Sequence, residues 1–234
     1  TAEAYSSYVP GDLNTARNIV LIYAESLEAS YLDSEHFEGE LLPQLKALSK
    51  EGAVFSDVRQ RPGTGWTVAG IIASQCGFSV QVKNPFSGNT RLAATPQPYP
   101  TAVCLGDIAQ KLGYSTLFMG GADSAFAGKG NFLRTHGFDR ILGRSELVAQ
   151  SVEPLNLSPW GVHDDDLFAR AQIEIEALEA AGEQYFLSLL TLDTHHPEGF
   201  PSSRCKLAPG EATMRRALRC SDQQIADFIR KLRA

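Results

Sequence analysis

The sequence lacks any apolar run approaching the ~18 residues of a membrane-spanning helix. Its longest apolar stretches, 19–24 and 185–192, are interrupted by polar groups and fit buried strands. It lacks an excess of basic residues: 21 Lys and Arg stand against 27 Asp and Glu, for a net charge of −6. That balance argues against a general nucleic-acid binder, which must neutralise phosphates along its ligand. None of its four cysteines forms a C-x-x-C pair, which argues against a zinc ribbon or a thioredoxin-type motif. There is no internal repeat and no low-complexity tract. There is also no initiating Met and no leader-like segment at Thr1, and the sequence stops at Ala234 inside an amphipathic stretch, 222–234. Both ends are expected to be cuts, so a membrane anchor in the parent is compatible with its absence here.

What is present suits a folded α/β domain. Hydrophobic residues make up 43% of 234 positions and charged residues 21%, enough to bury a sizeable core. Residues 1–17 are polar, with Pro and Gly, and read as a linker or arm. The run 18–24 (NIVLIYA) is apolar and β-branched, as in a buried parallel strand. Leu42, Leu45 and Leu48 predict a helix over 41–51, ended by Gly52. A second strand is expected over 53–58, a Gly-rich loop over 60–67 and a small-residue helix from 68 to Cys76. The segment 83–100, with Pro85, Pro96 and Pro98, reads as a long surface excursion. A helix over 104–112 capped by Gly113 leads into a strand at 115–119, and 128–134 is a loop or a helix start. Acids at 164–166 open a long helix to 181, ended by Gly182, and 184–192 is a third strong strand. Strands alternating with helices imply a mostly parallel sheet covered by helices on both faces.

In such sheets ligands bind beyond the carboxyl ends of the strands. Glu25 follows the first strand directly, where a buried carboxylate needs a cation or an ion pair, although a helix-start acid would look the same. Thr67 ends a G-x-G-x-T turn at a helix start, where free amides could hold an anion while its hydroxyl attacks phosphorus or sulfur. An N-cap threonine is the plainer reading, and Thr64 is the rival nucleophile. His195 and His196 follow the third strand beside Asp193. Neighbours in a strand point to opposite faces, so one of the two is expected in the site unless the backbone turns there. Asp164, Asp165 and Asp166 fit helix-start acids better than a metal cluster. Lys129, in AGKGN, reads either as a phosphate-holding point charge or as a solvated lysine. Cys205 and Cys220, 15 positions apart in a polar stretch, are expected to pair, and Cys76 with Cys104 is a possible second disulfide. Both fit an oxidising compartment.

The stretches NIVLIYAESLEASY, PGTGWTVAGIIASQCG, CLGDIAQKLGYSTLFMGGA, FAGKGNFLRTHGFD and TLDTHHP resemble the sulfatase/alkaline-phosphatase superfamily. Within it they are most similar to the bacterial phosphoglycerol transferase I branch, related to lipoteichoic acid synthases and phosphoethanolamine transferases. The resemblance runs from about Tyr8 to the end and implies that 18–234 is the N-terminal part of a sulfatase-like catalytic domain, truncated at its C-terminus. It implies Glu25 and Thr67 as metal ligands, Thr67 as nucleophile, and His195 and Lys129 as substrate-binding residues. The implied cofactor is a divalent metal, Mn²⁺ first, with Zn²⁺ or Mg²⁺ as alternatives. The implied reaction moves phosphoglycerol from phosphatidylglycerol to a glucan in the periplasm, in a parent anchored to the inner membrane. Alternatives are a phosphodiesterase or sulfuric ester hydrolase using water, and an inactive fragment. An arylsulfatase needs a Cys or Ser where Thr67 stands. The family completes its metal site with an Asp-His pair, and no Asp-His dipeptide occurs here. The chain by itself is therefore expected to bind metal weakly or not at all, to be inactive, and to offer an uncovered face to another chain, a second copy included, or to the rest of the parent.

Overall fold

A computed structural model of the chain describes residues 17–33, 35, 37, 39–80, 88–205 and 212–233. The expected arm at 1–17 and the start of the 83–100 excursion lie almost wholly outside them. Four strands form one parallel sheet: β1 (Ile19–Tyr23), β2 (Ser115–Gly120), β3 (Arg140–Leu142) and β4 (Tyr185–Leu190), in the order β1-β4-β2-β3. All six residues of β4 are buried, because it lies between two strands and beneath helices on both faces. β1 matches the expected strand but lies at the edge, so Ile19 is exposed and the rest half-buried.

The helices are α1 (Pro43–Leu48), α2 (Thr67–Cys76), α3 (Gly88–Ala93), α4 (Leu105–Lys111), α5 (Lys129–Thr135), α6 (Arg144–Gln150), α7 (Asp164–Ala180) and α8 (Thr213–Leu232). Strand alternation divides the core into two layers. Phe118, Phe186 and Leu190 face the layer built with Val68, Ile71 and Ile72 of α2 and Phe132 and Leu133 of α5. Leu117, Met119, Leu187 and Leu189 face the layer built with Leu167 and Ile175 of α7 and Ile225 and Phe228 of α8. Asp222 of α8 accepts the free amides of Gln44 and Leu45 at 2.9 and 2.8 Å, which docks α1 by its N-terminus.

Two expectations fail. Residues 53–58 form no strand, and Val54, Phe55 and Val58 are exposed, Phe55 by 81%. The residues include β-formers, Val54, Phe55 and Val58, but among the described residues no strand lies beside them to complete a ladder. The 83–100 excursion contains α3, whose Leu92 packs into the α2 layer. The two cysteine pairs are disulfides, Cys76–Cys104 and Cys205–Cys220. The first joins the end of α2 to the residue before α4, and the second ties the 201–205 segment to α8.

Closing loops of 28 and 15 residues stabilises by roughly 3–4 kcal/mol each in the chain-entropy treatment. Replacing Cys76 and Cys104 together by Ala should therefore lower the unfolding free energy in urea by about 3 kcal/mol. Non-reducing peptide mapping should recover both disulfides; free thiol at Cys205 and Cys220 would contradict the second.

Candidate active site

The carboxyl ends of β1, β2 and β4 and the start of α2 converge. Glu25 lies two residues beyond β1 and is held by the segment after β4. Its amide donates to Thr191 Oγ1 at 2.9 Å, and its carbonyl accepts from Thr194 Oγ1. The chain turns sharply at Ser26, whose φ of 52° is unusual for a residue with a side chain, and Ser26 Oγ donates to Glu25 Oε1 at 2.9 Å. The other carboxylate oxygen, Oε2, accepts the Thr67 hydroxyl at 3.0 Å. Two of the expected residues are thus in direct contact.

Thr67 is the first residue of α2, and Trp66 occupies the N-cap. Its hydroxyl is therefore not a helix cap; it points across to Glu25. The neighbouring amides at the start of α2 provide a positive field for an anion. Thr64 is placed differently: it is buried, and its hydroxyl closes its own turn by donating to the Arg61 carbonyl at 2.6 Å. A carboxylate and a hydroxyl converging 3.0 Å apart fit an oxygen-coordinated divalent cation as part of a ligand set. Among the described residues no third His, Cys, Asp or Glu joins them in a metal-sized cluster. The one such cluster, Cys104, Asp107 and His136, is a structural cap. Its sulfur is in a disulfide, and Asp107 accepts the Cys104 amide at 2.8 Å and faces His136 at 3.2 Å.

Lys129 opens α5 and is only 2% exposed, so the solvated alternative fails. It is delivered by Ala127 and Gly128, both with positive φ; a side chain at Gly128 would collide with the Leu92 backbone. Burial lowers its pKa to about 8, against the pull of the negative charges of Asp123 and Glu25. Its ammonium lies 5.9 Å from the Phe118 ring centre.

The β4 strand has ended before the histidines, and the chain is in a turn. Their rings are stacked, 10° from parallel, so they do not point to opposite sides as strand residues would. His195 is half-buried and His196 exposed, and His195 Nδ1 donates to the His196 carbonyl at 2.8 Å.

Several contributors carry no sequence signal beyond ordinary polarity. Asp164 is fully buried, and its two oxygens accept the Leu192 and Asp193 amides at 2.6 and 3.1 Å. Burial, and Asp193 beside it, push its pKa well above the carboxylate range. It is a helix-start acid, as the plainer reading held, and it clamps the turn that carries Thr194 and His195. His163 Nδ1 meets Asp193 Oδ1 at 2.7 Å on the same turn. Burial lowers the His163 pKa. The bond to Asp193 and the charges of Asp193, Asp165 and Asp166 more than offset this, so the pKa lies above 6.5. Asp165 and Asp166 face Arg204 and bond Ser202 and Asn156.

A parallel sheet with a hydroxyl at a helix start facing a carboxylate beyond the first strand is the architecture of the alkaline-phosphatase group of enzymes. Residues 17–234 match the sequence model of the Sulfatase family, and the chain belongs to that family. It is 41% identical over 228 residues to phosphoglycerol transferase I of Salmonella paratyphi B, covering 94% of this chain and 29% of that protein. It is 42% identical over 224 residues to the Escherichia coli protein of that name, with 93% and 29% covered. The chain thus spans less than a third of the length of these curated relatives. An alkaline-phosphatase-superfamily protein from Vibrio parahaemolyticus superposes with a TM-score of 0.72 at 25% identity, over 99% of this chain and 57% of that one. The lipoteichoic acid synthase LtaP of Listeria monocytogenes gives 0.71 at 16% identity, over 99% and 57%, a likeness of fold.

The His163–Asp193 pair sets a pH test. A His with a raised folded pKa contributes fully below the ordinary imidazole value of 6.5, and the contribution is lost as pH rises through the folded value. The stability difference between the chain and its His163→Gln variant, from urea titrations, should therefore be largest in mild acid and shrink in alkali. A difference that grows with pH would contradict the charged pair.

Proposed function

We propose that the parent of this chain is a metal-dependent phosphoglycerol transferase in which Thr67 is the nucleophile. The observation that carries the reading is the hydrogen bond from Thr67 to Glu25 at the start of α2. The identity to proteins named phosphoglycerol transferase I supplies the group transferred. Thr67 Oγ1 attacks the phosphorus of a phosphatidylglycerol headgroup, and a phosphoglyceryl-threonine forms as the bond from phosphorus to the diacylglycerol oxygen breaks. Diacylglycerol leaves with the proton that Thr67 gave up. An acceptor hydroxyl then attacks the same phosphorus, the bond from phosphorus to Thr67 Oγ1 breaks, and Oγ1 takes up the proton that the acceptor gave up. Glu25 orients the Thr67 hydroxyl, and the α2 amides and Lys129 stabilise the phosphate charge. His195 is the second phosphate contact.

Glu25 and Thr67 would hold a divalent cation, Mn²⁺ first, with Zn²⁺ or Mg²⁺ as alternatives. When bound it would supply Lewis-acid charge and lower the hydroxyl pKa of Thr67. Another relative of this fold, the periplasmic domain of EcEptC from Escherichia coli, is described as a complex with Zn (TM-score 0.58, 18% identity). The acceptor in this reading is a periplasmic glucan. The two disulfides support an oxidising compartment. No helix among the described residues is long and apolar enough to cross a membrane; this reading places the anchor in a region outside this chain. Exposed Val54, Phe55 and Val58 support a further contact with protein surface beyond this chain or with a second copy.

Two outcomes test the reading. In a chain extended to the length of the relatives, Thr67→Ala should abolish release of diacylglycerol, and Thr64→Ala should lower it only mildly. Near-normal turnover in Thr67→Ala would refute the assignment. For the 234-residue chain itself, two oxygen ligands hold a transition metal poorly against water. Calorimetry with Mn²⁺ or Zn²⁺ should show no tight one-to-one binding. Tight binding lost in Glu25→Ala would mean that other residues of this chain complete the site.

A further inference from the structure

An aromatic ladder flanks the candidate site. It is built from three segments that meet at the carboxyl edge of the sheet: the loop after β2, the turn before α7 and the turn after β4. Phe126 lies edge-on to Trp160, with ring centres 6.3 Å apart and planes at 84°. Trp160 stacks on His195 at 4.1 Å and 26°, and His195 stacks on His196 at 5.6 Å and 10°. Phe126 and Trp160 are 51% and 38% exposed, a costly display for large aromatics with no core to fill. Trp160 is nevertheless firmly mounted. Ser158 and Gly161 close a tight turn beneath it through bonds of 2.7 and 3.2 Å, and the Val162 amide pairs with the Gly121 carbonyl at 3.0 Å. Gly121 and Gly161 approach so closely that a side chain on either would strike the other segment.

We propose that Trp160, with Phe126 beside it, is the platform on which a sugar ring of the acceptor stacks. The inference rests on the transferase reading above and adds the acceptor's place. His195 belongs both to the ladder and to the phosphate contacts of that reading, and it stacks on one face of Trp160 at 4.1 Å, so an occupant of the other face is separated from a phosphate-binding group by the indole alone. That occupant must carry a hydroxyl and present an apolar face, as a pyranose does when its axial C–H bonds meet the electron-rich face of an indole. The charge of the surface separates a sugar from an anionic membrane. Segments 121–128, 157–163 and 195–200 contain no Lys or Arg, and contribute the exposed acids Asp123 and Glu198. Beyond the phosphate contacts, such a rim offers no cation to hold a further anionic head group and is indifferent to a neutral saccharide.

The test titrates a short glucose oligosaccharide into the 234-residue chain and follows the Trp160 indole and the His195 ring by NMR. Saturable shifts at both rings are expected, with affinity lowered about tenfold in Trp160→Ala, less in Phe126→Ala, and largely retained in Trp160→Phe. Titration with sn-glycerol 3-phosphate reports the phosphate contacts separately and should shift His195 equally in the chain and in Trp160→Ala. If glycerol phosphate leaves His195 unmoved, the transferase reading of that residue fails. If glycerol phosphate binds but the oligosaccharide does not, or binds Trp160→Ala equally well, the platform is refuted while the reading stands. Insertion of Trp160 into phosphatidylglycerol vesicles, seen as a blue-shifted emission absent from Trp160→Phe, would assign the ladder to a membrane and overturn the proposal.

Discussion

The hydrogen bond from Thr67 to Glu25 joins groups 42 residues apart in sequence, and the surrounding fold is arranged to make it. Glu25 cannot choose its direction freely. Its amide and carbonyl are both gripped by threonines of the segment after β4, and Ser26 turns the chain away immediately afterwards. Thr67 is aimed by α2, which the disulfide at Cys76 and the packing of Val68, Ile71 and Ile72 fix against the sheet. A strand end and a helix start are thereby brought to one point, each held by rigid elements rather than by loops alone.

That arrangement concentrates charge in a poorly solvated place, and the neighbours show how it is tolerated. Buried Lys129 keeps its site near two acids, Asp123 and Glu25, whose charges offset part of the burial that brings its pKa down to about 8. Asp164 is fully buried and spends both oxygens on backbone amides of the turn that bears His195. His163 and Asp193 form a second brace on the same turn. The turn after β4 is thus fixed from below by polar clamps and bonded on its upper side to Glu25.

The sequence pattern was most informative where local chemistry and burial agree. The apolar run of β1, the largely apolar β4, the acid-opened α7 and the small-residue α2 all lie where they were expected, because each is specified by its own residues. The placement of Glu25 after β1 and of Thr67 at the start of α2 was legible because a strand end and a helix start can be located from sequence. The segment 53–58 misled because a β-patterned run becomes a strand only beside a partner. Asp164 looked like any helix-start acid, since its partners lie 28 and 29 positions away. Lys129 could not be told from a surface lysine, because its burial depends on distant chain, with the Phe118 ring of β2 lying 5.9 Å from its ammonium. The stacking of Trp160 on His195 depends on two turns meeting, 35 positions apart in sequence, which no local pattern encodes.

The central claim is that Thr67 Oγ1 takes the phosphoglycerol group. It is tested most directly by acid-quenching an extended chain during turnover of phosphatidylglycerol and mapping its peptides by mass spectrometry. The account predicts phosphoglycerol on the peptide containing Thr67, localised to that residue by fragmentation and absent in Glu25→Ala. Modification at Thr64 or another residue, or rapid turnover with no modified threonine at any quench time, would contradict it.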